Sequence, residues 1–330
     1  LKVFQNNLFD THTLLSPNNL GSMESNIKFY LGQEDQNLTT GIKVFEKLGG
    51  RQSDRYQYTL PYYNLSKNLT SLLEDSSING SLNFSSSGSN SLNNTNILVS
   101  TINNSLNYSS PDLISKSGFK NNFNLYLSNS NYVGKNHPTY TSNLQIDGTS
   151  LLVFDTSIPL VKYSNDIKET ITPRISFRVN PGNNMNDHSE KTNKVNIGNV
   201  FSLDRLGLGN DYEAGKSITL GLGYKFDQLE IAKNDVSLDN EIKDKYMSFN
   251  LATVVRDQNE NRIPSSSTIN RKNSNLFGSI DNRMLENVNL SYSFSIDNDL
   301  KTINSNSINT EISINNFITT FGFFESRNEL

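Results

Sequence analysis

The feature that most constrains the fold of this chain is a strict alternation of apolar and polar residues. In the segment V-N-L-S-Y-S-F-S-I at positions 288–296, every second residue is apolar and each residue between them is Asn or Ser. Successive side chains of a β-strand point to opposite faces, so the segment predicts a strand with one apolar and one polar face. The same pattern recurs at 56–62, 78–84, 123–127, 152–158, 171–179, 218–226 and 249–255.

The rest of the sequence also favours an all-β chain. Weaker alternating runs occur at 27–31, 42–45, 97–108 and 276–280. Apolar residues at helical spacing are not sustained over any long window, and Asn, Ser, Thr and Gly are weak helix formers. Together these patterns predict about fourteen antiparallel strands.

The predicted connections between strands differ in length. Those at 128–143, 180–214 and 256–273 are long and polar, whereas Asn315 and Asn316 are placed to close a two-residue hairpin, since Asn tolerates the left-handed backbone. Long loops at one rim and mostly short turns at the other are typical of an outer-membrane barrel. The segment 227–243 is an exception, because it is long and falls on the short-turn side.

The composition supports a barrel in a membrane. Only 34% of the residues are hydrophobic, and Asn, Ser and Thr rather than charges replace the missing apolar residues. In a transmembrane barrel one face of each strand meets lipid and the other meets water, so only half of the strand residues need be apolar. With no Trp, the 18 Phe and 14 Tyr would supply the interfacial aromatic girdles. We therefore expect an antiparallel transmembrane β-barrel of outer-membrane type.

Two soluble architectures remain as alternatives at this point. A β-sandwich also has alternating strands, so alternation does not separate it from a barrel. An Asn/Ser-rich β-solenoid would show a fixed sequence repeat, and none is visible.

Several kinds of chemistry find no support in the sequence. The chain has no Cys, and His12, His137 and His188 lack the spacing of a metal site. No nucleophile elbow or catalytic triad spacing is present, and Gly207 and Gly209 do not continue into a dinucleotide-binding motif. A net charge of -4 offers no basic face for nucleic acid. The sequence predicts no enzyme activity, no cofactor, no metal and no nucleic-acid partner.

The chain also lacks the sequence features of a membrane helix and of a secretion signal. Apolar runs such as 151–154 are far shorter than the roughly 20 residues of a membrane helix. The sequence opens without Met and without a basic segment followed by an apolar run. We expect any signal peptide to lie outside this chain.

Three segments carry a more specific signal. They are SDRYQYTLPYYNLSKNL at 53–69, TPRISFRVNPG at 172–182 and NVFSLDRLGLGNDYEAGKSITLGLGYKF at 199–226. The last two closely resemble a signature region of the barrel of the LPS-assembly outer-membrane protein family (LptD, or organic solvent tolerance protein), and the first resembles an upstream segment of its alphaproteobacterial members. On this resemblance, residues 1–330 form part of one large outer-membrane β-barrel domain.

The resemblance implies a transport function. Members of this family receive lipopolysaccharide (LPS) from a periplasmic LPS-transport bridge and release it into the outer leaflet of the Gram-negative outer membrane. They hold a plug lipoprotein, LptE, inside the barrel and carry an N-terminal jellyroll that docks the bridge. No jellyroll is visible here, and 325–330 is too polar for a closing strand, so an internal fragment of the barrel is expected. A generic outer-membrane porin or receptor, or a soluble Asn/Ser-rich surface adhesin, remains an alternative.

Six charged residues form a candidate network within these segments. Arg174 and Arg178 alternate with Ile175 and Phe177, so they would point into an aqueous lumen and avoid a cost of about 2–4 kcal/mol on a lipid face. The loop charges would pair with each other or with these arginines. They would form either a contact surface for LPS or the plug, or a salt-bridged loop that fixes the barrel shape, which their mixed signs favour. The six residues are Arg174, Arg178, Asp204, Arg205, Asp211 and Glu213.

Overall fold

The computed structural model describes residues 22–48, 55–73, 79–93, 96–164, 166–182, 185–209, 211–228 and 245–327. These residues form sixteen strands and two single turns of 3-10 helix, Thr70–Leu73 and Ser265–Ser267, and none of their helices has the length and hydrophobicity needed to cross a membrane. The strands are β1 (Ser22–Gly32), β2 (Gln36–Lys47), β3 (Tyr56–Asn68), β4 (Ser81–Asn93), β5 (Ile97–Ser109), β6 (Leu113–Ile114), β7 (Lys120–Lys135), β8 (Gln145–Ser157), β9 (Leu160–Ser164), β10 (Ile167–Asn180), β11 (Gly215–Gln228), β12 (Lys245–Arg256), β13 (Leu276–Leu285), β14 (Val288–Ile296), β15 (Ile303–Ile314) and β16 (Phe317–Ser326).

All sixteen strands belong to one antiparallel sheet, which confirms the all-β prediction. Fourteen of them follow one another in the order β1-β2-β3-β4-β5-β7-β8-β10-β11-β12-β13-β14-β15-β16. The short strands β6 and β9 pair with β7 and β10, so the total exceeds the expected number by these two. The order has β1 and β16 at its two ends, and the sheet is therefore open in this structure.

The alternation of apolar and polar residues did not predict the last two strands, β15 and β16. The sequence of β16, F-I-T-T-F-G-F-F-E-S, places apolar residues on both faces, and β15 contains mostly Asn, Ser and Thr between its Ile residues. The turn between them was predicted, because Ile314 pairs with Phe317 across a two-residue hairpin. Of the two turn residues only Asn315 has a positive φ, 53°.

The described residues divide into two compact units. The first falls within Leu1–Ser77, Ser81–Asn107 and Ser128–Gly148, and the second within Ile78–Gly80, Tyr108–Leu127 and Thr149–Leu330. The first unit holds β1 to β4 with parts of β5, β7 and β8. The second unit holds β6, β9 to β16 and the remaining parts of those three strands.

In the first unit, neighbouring strands are tied by polar side chains. The hydroxyls of Ser85 and Ser105 lie 2.7 Å apart, and Ser86 Oγ donates to Asn104 Oδ1 at 2.7 Å, so both contacts join β4 to β5. The predicted loop 128–143 was partly wrong, because β7 continues to Lys135 and the connection spans only 136–144. Residues 128–131 are all Ser or Asn, so the sequence shows no apolar alternation there.

In the second unit, the apolar faces of the strands are exposed and the polar faces are covered. Phe177 and Leu220 are 39% and 44% exposed, whereas Ser176 and Thr219 are 1% and 0% exposed. This is the reverse of a soluble strand, whose apolar face normally packs into the core.

Two long connections cover the polar face of the second unit. Residues 181–214 join β10 to β11, and residues 257–275 join β12 to β13. At the opposite ends of the strands, 286–287 and 315–316 are two-residue turns, while most of the predicted long connection 227–243 lies outside the described residues. The two loops and the strands beneath them share a small buried core of Met185, Val195, Val200, Leu206, Ala214, Ala252, Val254, Ile263, Ile269 and Phe277.

Candidate functional site

The candidate site lies in the second unit, where the loop 181–214 meets the polar face of β10 to β12. The strand register sets its base, because Arg178 pairs with Ser217 and Ser217 pairs with Arg256. These three side chains form one row across three strands. The loop contributes Arg205 and Glu213 above this row, and we call Arg178, Arg205, Glu213 and Arg256 the arginine–glutamate cluster.

A single carboxylate joins the three arginines of the cluster. Glu213 Oε1 lies 2.9 Å from Arg178 Nε and 2.5 Å from Arg205 Nη2, and Glu213 Oε2 lies 3.4 Å from Arg256 Nη1. All four side chains are buried. The carboxylate therefore links the loop to β10 and β12 at the same time.

Backbone carbonyls of the loop accept most of the other hydrogen bonds that the strand arginines donate. Arg178 Nη1 donates to the carbonyl of Ser202 at 2.8 Å, and its Nη2 donates to the carbonyl of Leu203 at 2.5 Å. Arg256 Nη2 donates to the carbonyl of Ala214. These bonds fix the path of the loop, because each carbonyl must stay over a particular guanidinium group.

Arg205 makes the reverse connection, from the loop down to the strand. Its Nη1 donates to Thr219 Oγ1 and its Nη2 donates to Ser217 Oγ, each at 2.9 Å. Ser217 and Thr219 of β11 are small enough to leave room for the guanidinium group of Arg205, and their hydroxyls accept its hydrogen bonds.

The cluster shifts the pKa values of both loop residues. Burial by itself would raise the pKa of Glu213, but the charges of Arg205, Arg178 and Arg256 outweigh it and lower the pKa to about 2. Burial lowers the pKa of Arg205 to about 10, although the charge of Glu213 opposes that change. Both groups remain charged at neutral pH, so the cluster holds three cations and one anion.

The structure brings together three of the six residues that the sequence proposed as a network, namely Arg178, Arg205 and Glu213. Arg256 completes the cluster and was missed, because the sequence treated it as the first residue of a loop. The alternation of β12 could have revealed it. Ala252, Val254 and Arg256 are every second residue of the strand, so all three lie on its covered face.

Arg174 lies on the same face of β10 but outside the cluster. It lies 3.5 Å from Asp155 of β8, and its guanidinium group lies 4.1 Å from the centre of the Phe201 ring. Arg174 therefore holds an aromatic side chain of the loop rather than one of its acids.

The two loop aspartates serve the loop itself. Asp204 accepts hydrogen bonds from the backbone N–H groups of Leu208 and Gly209, at 2.7 and 2.9 Å. Asp211 Oδ2 lies 2.7 Å from His188 Nε2 and accepts a hydrogen bond from the backbone of Asn186 at 2.9 Å. The sequence left pairing within the loop or with the strand arginines open, and these two acids bond within their own loop.

Phe201 docks the loop in a groove that glycine creates on β11. A Cβ atom added to Gly221 would lie 2.6 Å from Phe201 Cζ, so no larger residue fits beneath the ring as it is placed. The face of the ring is covered by Arg174. On the polar face of β11, Ser217 and Thr219 thus accept hydrogen bonds from Arg205, and the absence of a side chain at Gly221 leaves space for the Phe201 ring.

We expect Gly221→Ala to destabilise the docked loop by about 1–3 kcal/mol, because the added methyl overpacks the contact with Phe201. Equilibrium unfolding followed by circular dichroism and protease cleavage within 181–214 would measure the effect. Gly223→Ala is the matched control, since the one tight contact of its Cβ would be the movable side-chain oxygen of Asn250, at 3.2 Å, and its contacts with Thr172 would be at ordinary distances of 3.8 and 3.9 Å. Adding Phe201→Ala to Gly221→Ala should recover part of the loss, and purely additive effects would contradict the contact.

The lowered pKa of Glu213 also predicts how stability depends on pH. Its folded-state pKa of about 2 lies below the ordinary value of 4.5, so its contribution is fully present above pH 4.5 and is lost as the pH falls toward 2. We expect protease cleavage of the loop 181–214 to increase across that interval, as measured with an acid-active protease. The increase should be smaller in Glu213→Gln, and equal pH profiles would contradict this assignment.

Among the described residues, no group of three or more His, Asp or Glu side chains is arranged to hold a metal ion. No protein-family model matches this chain, and no curated protein matches its sequence. The arginine–glutamate cluster connects a loop to a sheet.

Proposed function

We propose that this chain is part of an outer-membrane β-barrel and that the complete protein assembles LPS at the Gram-negative outer membrane. The observation that carries the membrane assignment is the inverted burial in the second unit, where Leu220 is exposed and Thr219 is buried. Lipid would cover the exposed apolar faces. The polar faces would line an aqueous interior, into which the loops 181–214 and 257–275 fold.

The more specific LPS role draws its support from the sequence. The segments 53–69, 172–182 and 199–226 resemble the LPS-assembly family, and two of them supply most of the arginine–glutamate cluster. In this proposal the complete protein is the barrel component of the translocon. It receives LPS from the periplasmic LPS-transport bridge through a jellyroll domain and works with an LptE-type plug lipoprotein.

The cluster has a structural part in this proposal. Its arginines are already paired with Glu213 and with loop carbonyls, so they are not free to bind the phosphates of LPS. We propose that they hold the loop against the polar face and so set the width of the aqueous interior. LPS would then pass over the outer surface of the loop rather than contact these four side chains.

Depletion of the full-length protein in its host tests the LPS role. Newly made LPS should fail to reach the cell surface and should accumulate in inner compartments, and re-expression of the wild-type protein should restore delivery. Normal delivery in depleted cells would reject the role. A loss of small-solute uptake with normal LPS delivery would instead support the porin or receptor alternative.

The soluble adhesin alternative predicts different biochemical behaviour. An outer-membrane barrel migrates differently on gels before and after heating in detergent and is extracted only with a membrane mimic. A soluble surface protein needs neither detergent nor lipid to stay folded. The exposed apolar faces of β10 to β12 favour the membrane protein, since a contiguous apolar patch is unusual on a soluble monomer.

A further inference from the structure

The two residues that precede β4 carry a chemical feature unrelated to the arginine–glutamate cluster. Asn79 is followed by Gly80, and this is the only Asn-Gly step in the sequence. Asn79 is exposed, and both residues lie outside the strands, directly before β4 begins at Ser81. The backbone N–H of Gly80 is therefore not part of the ladder of hydrogen bonds that fixes residues within the sheet.

An asparagine in this setting can lose its side-chain amide without an enzyme. The backbone nitrogen of Gly80 attacks Cγ of Asn79, a new C–N bond forms, and the side-chain nitrogen leaves as ammonia. Water then opens the resulting five-membered imide at either carbonyl, which leaves aspartate or isoaspartate at position 79. One water is consumed and one ammonia is released, so the reaction needs no co-reactant other than water.

Glycine at position 80 favours this attack. It has no side chain beside the attacking nitrogen, and it populates backbone conformations that other residues avoid. Gly80 already has a φ of 145°. A residue within a strand cannot rotate as freely, because its N–H is bonded to a neighbouring strand. Asn79 therefore combines an unhindered nucleophile with a position outside the sheet.

Contacts with β5 oppose the attack. The hydroxyl of Tyr108 donates a hydrogen bond to the backbone carbonyl of Asn79 at 2.7 Å. The backbone of Gly80 also lies close to β5, since a Cβ atom added to it would be 2.5 Å from the carbonyl oxygen of Ser109. The cyclic intermediate requires rotation of the backbone between residues 79 and 80, so these contacts slow its formation.

We propose that Asn79 is a site of spontaneous deamidation and that the hydrogen bond from Tyr108 limits its rate. Deamidation adds a carboxylate at position 79, and the isoaspartate product also lengthens the backbone by one carbon atom. The longer backbone moves the carbonyl of residue 79 away from Tyr108, so this product releases the segment from β5. The reaction involves only the chain and water, and the proposal stands whether or not the complete protein delivers LPS.

Incubation of the purified chain in detergent micelles at mildly alkaline pH, followed by peptide mapping with mass spectrometry, tests the proposal. Two asparagines serve as internal references, because Asn316 is exposed in a turn but precedes the bulky Phe317, and Asn104 lies within β5. We expect Asn79 to convert at least about tenfold faster than either, since of the three only Asn79 has both a following glycine and a position outside the strands. Asn79→Gln should abolish conversion in this peptide, because its longer side chain forms a six-membered ring far more slowly.

Tyr108→Phe tests the part played by the hydrogen bond. This variant keeps the aromatic ring and loses the hydroxyl, so Asn79 should convert about two- to tenfold faster, as the loss of one hydrogen bond predicts. Asn104 should convert at its wild-type rate, which would show that the sheet is intact. Conversion of Asn79 no faster than that of Asn316 or Asn104 in the wild type would overturn the proposed site. An unchanged rate at Asn79 in Tyr108→Phe, or an equal increase at Asn104, would overturn the role of Tyr108.

Discussion

Replacing Glu213 with Gln is expected to lower the free energy of unfolding by about 3–5 kcal/mol, the usual cost of removing one partner from a buried ion pair. The substitution keeps the shape of the side chain but leaves three guanidinium cations buried around a neutral amide. Arg178, Arg205 and Arg256 would then repel one another without a compensating anion. Chemical denaturation of the chain in detergent micelles, followed by circular dichroism, would measure the loss.

Glu190→Gln is the matched control, because Glu190 belongs to the same loop and is exposed. It should change the free energy of unfolding by no more than about 0.5 kcal/mol. Adding Arg205→Met to Glu213→Gln removes one of the stranded cations and should recover part of the loss. If both single glutamine variants behaved alike, the cluster would not be what holds the loop to the sheet.

The sequence predicted the strands for a specific physical reason. In 171–179 and 218–226 apolar and polar residues alternate without interruption, so the two faces of each strand could be assigned from the sequence. The same rule failed at β16, where apolar residues occur on both faces, and at 128–131, where all four residues are Ser or Asn and no apolar residue marks a face. An all-β chain was therefore predictable, and its exact strand number was not.

The candidate site was predictable only in part, since its geometry depends on contacts that are distant in the sequence. The mixed charges of 204–213 indicated pairing with strand arginines, but not which acid would reach them. Asp204 and Asp211 bind backbone and side-chain groups of their own loop, and Glu213 reaches the sheet. Arg256 joins the cluster through a cross-strand row that no local pattern reveals.

Leu220→Arg is expected to reveal what surrounds the exposed apolar face. Leu220 lies near the middle of β11 and is 44% exposed, on the face opposite Thr219. If that face meets the hydrocarbon of a membrane, an arginine near the midplane should lower the free energy of unfolding from lipid bilayers by about 2–4 kcal/mol. If the face meets water, the same change at an exposed position should have an effect within about 0.5 kcal/mol.

Leu300→Arg provides the matched control for this experiment. Leu300 is 65% exposed in the turn between β14 and β15, so the same chemical change is made outside the strands. We expect it to have little effect in bilayers, because the arginine can reach water from a turn. A large loss of unfolding free energy for Leu220→Arg, with none for Leu300→Arg, would indicate that lipid surrounds the strand face. Equally small effects at both positions would indicate that the apolar faces are exposed to water. The outer-membrane assignment, and the LPS role that depends on it, would then have to be abandoned.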